Sequence, residues 1–177
     1  MPFIKAGRLA DDRFVRVRDE EPAPEDAPVL VPAARFLADS QEFAARSAPV
    51  GVIWPNNRNI AELAPHLDRL ALAALVFPTF RDGRAYSQAR ILRERYGFRG
   101  ELRATGDVLR DQFLFLARAG FDAFEVKKES DAAAFAAALA RYSVVYQPAA
   151  DRRASSFSRR LTEAVPREDK ARTETVP

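Results

Sequence analysis

From Val29 onward the chain repeats one theme: a short run rich in β-branched or aromatic residues, a loop, then an amphipathic stretch closed by a turn signal. Such runs fall at Val29 to Val31, Val50 to Trp54, Ala74 to Phe77, Glu101 to Ala104, Ala123 to Val126 and Val144 to Tyr146. Strands buried on both faces read this way, and the helical stretches between them supply the crossovers that parallel pairing needs. Ile60, Leu63, Leu67 and Leu70 share one helix face, with Pro65 predicting a kink or a late start. Asp82 can cap a helix that stops at Gly97, Asp107 one that runs over Val108 to Ala119 and stops at Gly120, and Ser130 or Asp131 an alanine-rich helix with Phe135, Leu139 and Tyr142 inward. The expected fold is α/β, with a mainly parallel sheet of about five or six strands. Two closures fit: an open doubly wound sheet, or part of a β/α barrel. The chain is too short for eight units, which favours the open sheet and leaves the partial barrel as the alternative.

Before that core, Phe3 to Lys5 and Arg13 to Arg18 read as the strands of an N-terminal β-hairpin joined through the turn region Gly7 to Asp12. Glu20 to Pro28, EEPAPEDAP, is a proline-rich acidic stretch that holds neither a ladder nor a helix. Residues 1–28 are therefore expected to be hairpin and linker, and 29–150 the α/β domain. After Asp151, Arg152, Arg153, Arg159 and Arg160 alternate with Ser, Thr and Glu, so 151–177 reads as a disordered basic tail able to meet an acidic partner.

A length of 177 residues with 47% hydrophobic content suits one sizeable core. The first residues carry scattered Asp and Arg instead of a secretory signal, and no later run approaches the roughly 20 apolar residues of a membrane span, so a cytoplasmic location away from membranes is expected. With no cysteine and one histidine, His66, the chain has no means to build disulfides, thiolate nucleophiles, cysteine-ligated clusters or ordinary zinc sites. Carboxylate-bound magnesium stays open. The net charge of +3 comes from arginines spread along the chain, whereas a nucleic-acid binder clusters them, so no nucleic-acid partner is expected.

In a parallel α/β domain the loops leaving the C-terminal strand ends share one edge, where helix N-termini favour anions. That rule gathers Trp54 to Asn59, Phe77 to Arg84, Thr105 to Asp107 and Lys127 to Lys128 on one rim. Arg58, Arg81 and Arg84 are the candidate anion contacts, because a guanidinium fork matches oxyanions bidentately. Asp82 and Asp107 would order the loops as caps or serve as acid/base groups, and Arg81 and Arg84 can equally pair with them. Asn56, Asn57, Thr79 and Thr105 complete the rim, while Trp54 reads as packing. No base stands near Ser87 to make it a nucleophile. No glycine-rich dinucleotide fingerprint or phosphate-binding loop follows any strand, so no cofactor is evident.

Phe77 to Arg90 (FPTFRDGRAYSQAR), Tyr96-Gly97-Phe98, Gly100 to Arg103, Gly106 to Gln112 (GDVLRDQ) and Gly120 to Glu125 (GFDAFE) together resemble the bacterial domain-of-unknown-function family numbered 934. The likeness runs through most of Val50 to Tyr146. What it implies is a role in cytoplasmic sulfur assimilation, since members are commonly encoded beside assimilatory sulfite reductase and sometimes labelled as oxidoreductases of sulfite reduction. Set against the missing cysteines and nucleotide fingerprint, the resemblance implies an accessory or partner protein of sulfite reductase, with an oxyanion such as sulfite, sulfate or phosphate at the rim. The competing expectation is a small β/α-barrel-like enzyme acting on an anionic substrate, with Asp82 or Asp107 as acid/base or magnesium ligand.

Overall fold

The computed structural model describes residues 2–142, 144–151, 153 and 155–164. Strands β1 (Phe3–Lys5) and β2 (Arg8–Ala10) form a hairpin whose central residues, Ala6 and Gly7, have φ of 50° and 78°. Positive φ at both positions is what a two-residue turn with the strands' own twist requires. Strand β3 is only Val15–Arg16. It pairs in parallel with β4 (Val29–Pro32), so the expected hairpin between Phe3–Lys5 and Arg13–Arg18 is replaced by two separate pairings. The proline-rich stretch thereby connects two neighbouring strands. Arg35 donates to the carbonyls of Arg18 and Glu21, both at 2.6 Å, and Arg46 donates to that of Pro24 at 2.5 Å, so arginine forks satisfy carbonyls that no ladder can reach.

Helices α1 (Ala33–Ala38) and α2 (Ser40–Ala45) lead to β5 (Val50–Trp54), and a 3₁₀ stretch over Ile60–Arg69 leads to β6 (Leu70–Phe77). Helix α3 (Arg84–Arg90) widens into a π turn over Ile91–Arg95 before β7 (Glu101–Gly106). A 3₁₀ turn at Arg110–Gln112 opens α4 (Phe113–Ala119), which precedes β8 (Ala123–Glu125) and α5 (Asp131–Ala140). The strand expected at Val144 to Tyr146 is reduced to a single bridge between Val145 and Ser155. Ser156–Ala164, expected to be unstructured, forms helix α6; residues 152, 154 and 165–177 of that expected tail lie outside the described residues.

Among the described residues the sheet has eight strands, more than the five or six expected, in the order β2-β1-β8-β7-β6-β5-β4-β3. Strands β3 to β8 are parallel and strictly consecutive, and among the described strands β1 alone runs the opposite way, pairing antiparallel with both β8 and β2. A doubly wound sheet needs a reversal of strand order, and none occurs. Right-handed crossovers stepping always in one direction put every helix on the same face. Accordingly Phe36, Phe43, Leu63, Leu92 and Leu116, from successive crossovers, and Phe135 of α5, which follows the last strand, join Val31, Val52, Trp54, Leu75 and Phe124 in one buried cluster. Each such side chain contributes about 1.5–3 kcal/mol by burial.

The opposite face must be covered by other means, and the sheet curls to do it. Ala10 ends β2 at one edge and Val15 begins β3 at the other, yet only five residue steps separate them, a reach of at most about 18 Å. Seven strand spacings in a flat sheet would need about 34 Å. The sheet is therefore a half-barrel whose edges approach, and an ion pair between Arg16 of β3 and Glu125 of β8 spans its hollow. Phe14, on the strap that joins the edges, packs in this hollow against Leu30, Leu72 and Ala74. Gly51 faces the same way and leaves no spare space, since a Cβ there would lie 3.0 Å from Leu72.

Candidate functional site at the strand-end rim

The β6 exit is a turn held from three directions. Asp82 N–H donates to the Thr79 carbonyl at 3.1 Å and closes the turn. Asp107, leaving β7, accepts from Phe80 N–H at 2.9 Å through Oδ2 and from Lys127 Nζ at 2.7 Å through Oδ1. Gln112 Nε2 reaches the Phe80 carbonyl at 3.5 Å. Asp107 thus ties three successive strand exits together and caps no helix. Gly106 makes this approach possible: its φ is +96°, and a Cβ would collide with the Phe77 carbonyl oxygen.

Asp82 does help to start α3, accepting from Arg84 N–H at 3.3 Å, and its two oxygens also take the Arg84 fork at 3.0 and 2.6 Å. Arg84 is the main reason the Asp82 carboxyl sits far below its usual range, with Asn56 assisting. Asn56 is buried and its Nδ2 meets no acceptor at hydrogen-bonding geometry, so it acts on Asp82 as a nearby dipole. Lys127 and the Phe80 N–H likewise hold Asp107 below the ordinary carboxylate value. Both carboxylates are consequently ionised at neutral pH and poor proton donors or bases there.

The other expected rim residues disperse. Arg58 turns to Glu62 at 2.9 Å and lies over the fully buried Trp54 ring, 5.5 Å from its centroid. Its carbonyl and that of Pro55 accept from Gln88 Nε2 at 3.0 and 3.2 Å, which joins the β5 exit to α3. Asn57 and Thr79 are exposed. Thr105 does not reach the rim: it is buried in the hollow, donating to Glu125 Oε2 at 2.6 Å. Arg81 stands apart, exposed and without an ion pair among the described residues.

Thr105 belongs to a second polar constellation. Arg103, with 1% of its side chain exposed, donates to Asp12 at 2.6 and 3.0 Å, to Glu101 at 2.9 Å and to Glu125 at 3.4 Å. Its guanidinium lies 4.3 Å from the Phe3 ring centroid. Arg16 and Lys5 complete the network on Glu125 and Glu101, so three cations meet three carboxylates. Burial opposes the charge on Arg103, but the bond to Asp12 and the charge of Glu101 outweigh it and stabilise the cation. A cleft of about 1240 Å³ opens near this network between Arg16, Arg18, Asp19, Glu21, Pro32 and Ile53, and none of the expected rim residues lines it.

The family model of a bacterial protein of unknown function, DUF934, matches residues 51–157, from β5 into the start of α6. The chain belongs to the DUF934 family. No curated protein matches it. The DUF934 match covers the whole of the Asp107-tied rim, together with Arg103 and Glu125; Asp12 and Arg16, which close the hollow, lie before it.

Among the described residues no group of three His, Cys, Asp or Glu is placed to hold a metal, and no helix is long and apolar enough to cross a membrane. Sequence reasoning overlooked Phe80, Arg103 and Glu125 in this DUF934 chain. A signal existed for Arg103: Glu101, Arg103 and Thr105 alternate with Leu102 and Ala104, a period-two pattern that gives β7 one polar face.

Proposed function

We propose that this DUF934 protein is an accessory protein of cytoplasmic assimilatory sulfite reduction, acting through the strand-end rim, with Arg81 as the contact for an anionic group, either a dissolved oxyanion or a carboxylate of the partner. The observation that carries the reading is an exposed guanidinium, without an ion pair among the described residues, on a turn that Asp107 and Asp82 hold in place. A guanidinium so placed takes an oxyanion or carboxylate bidentately. The link to sulfite reductase comes from the family resemblance. A deletion strain should grow poorly on sulfate as sole sulfur source and normally on a reduced sulfur source, with Arg81→Ala failing to restore growth. Normal growth of the deletion strain on sulfate would reject the role.

The half-barrel curl favours a second reading, an enzyme acting on an anionic substrate at the strand ends. Asp82 and Asp107 would serve it as magnesium ligands better than as acid/base groups, because both are held ionised. Each is already engaged by a cation at 2.6 or 2.7 Å, so magnesium would have to displace Arg84 or Lys127. A magnesium-dependent rise in unfolding temperature that Asp107→Asn abolishes would support this reading over the first.

A further inference from the structure

We infer that the Phe80–Arg81 tip is a docking knob that seats in an apolar, carboxylate-rimmed pocket of a partner protein. The inference deepens the accessory-protein reading and rests on it. Phe80 is 46% exposed, yet its N–H is held by Asp107 at 2.9 Å and its carbonyl by Gln112 at 3.5 Å. An aromatic ring presented to water on a clamped backbone has already lost the loop entropy that binding would otherwise cost. Arg81 beside it carries a charge with no ion pair among the described residues. Arg84 is taken by Asp82, Lys127 by Asp107 and Arg58 by Glu62. Asp111, the exposed acid of the following 3₁₀ turn, makes no ion pair with Arg81 among the described residues.

The same saturation argues against a dissolved oxyanion as the occupant. Small anions are held by several converging donors, and three of the four other cations of the rim, Arg58, Arg84 and Lys127, are spent on carboxylates. An exposed aromatic next to a free arginine is instead the composition of an interface hot spot, with the ring filling a pocket and the guanidinium meeting a carboxylate at its edge.

The test measures binding of the full chain to purified assimilatory sulfite reductase, comparing wild type with Phe80→Ala, Arg81→Glu and, on the outer face of α3, Arg90→Ala. Thermal unfolding of each variant checks that it folds. The knob predicts that Phe80→Ala and Arg81→Glu each weaken binding by about tenfold or more, while Arg90→Ala stays within about twofold. Reductase binding that is indifferent to both tip substitutions overturns the knob and leaves the accessory role standing. If wild type does not bind the reductase, the accessory partner falls, and a photo-crosslinking residue at position 80 in sulfate-grown cells decides the knob. An adduct through a peptide with Asp or Glu beside apolar residues, abolished by Arg81→Glu, supports it. A self-adduct, an adduct insensitive to Arg81→Glu, or no protein adduct overturns it, as does an Arg81-dependent thermal shift with sulfite alone.

Discussion

Replacing Arg103 by methionine tests whether the hollow of the half-barrel is closed by charge. Methionine keeps much of the side chain's length and apolar contact with Phe3 while removing every donor. The Arg103 side chain is 1% exposed, and those of Glu101 and Glu125 are 8% and 6% exposed, so the substitution leaves buried carboxylates short of a partner. Removing one member of a buried ion pair costs about 3–5 kcal/mol, a large part of the roughly 5–15 kcal/mol that holds a domain folded. Lys5 and Arg16 remain on Glu101 and Glu125, which places the expected cost toward the lower figure. In a chain of this length the unfolding midpoint should fall by roughly 6–12 °C. Trp54, the single tryptophan and fully buried, reports the transition by fluorescence in urea. A loss below about 1 kcal/mol would refute the view that this network secures the closed edges, since it would mean the carboxylates find water or other cations at little cost.

Asp12 supplies the pH dependence. Burial alone would raise its carboxyl pKa, but the Arg103 hydrogen bond and the Phe14 N–H outweigh burial and lower it below the ordinary 3.8. Its contribution is therefore complete above that value and is lost as pH falls through the lowered folded value, so Asp12→Asn should flatten the acid limb of a urea-midpoint profile. An unchanged limb would separate Asp12 from acid unfolding. Gly106→Ala places a Cβ against the Phe77 carbonyl at a φ of +96° and should cost about 2–3 kcal/mol by urea denaturation. Gln88→Leu removes both hydrogen bonds to the Pro55 and Arg58 carbonyls and should cost about 1–3 kcal/mol by the same measurement. Asp107→Asn should leave the unfolding midpoint nearly unchanged while weakening partner binding, because it loosens the Phe80 turn without opening the core; equal losses of stability and binding would contradict that division.

What was legible in the sequence is what short-range pattern determines. Apolar runs such as Val50 to Trp54 mark strands because both faces are buried, and Gly97 and Gly120 mark helix ends. The placing of Arg81, Asp82 and Asp107 on one rim followed from the rule that parallel strands end together. Only tertiary structure decided that the strands lie in consecutive order, that Arg13 to Arg18 leaves β1 for β4, and that the edges curl together, because each depends on pairing between distant segments whose local patterns are indifferent to partner. The curl in turn sorted the arginines. Arg103 became a buried tie between distant strands and Arg81 was left facing water: the period-two pattern of β7 marks Arg103 as lying on a polar strand face, but Asp12 and Glu125, which bury its charge with Glu101, come from segments distant in the chain.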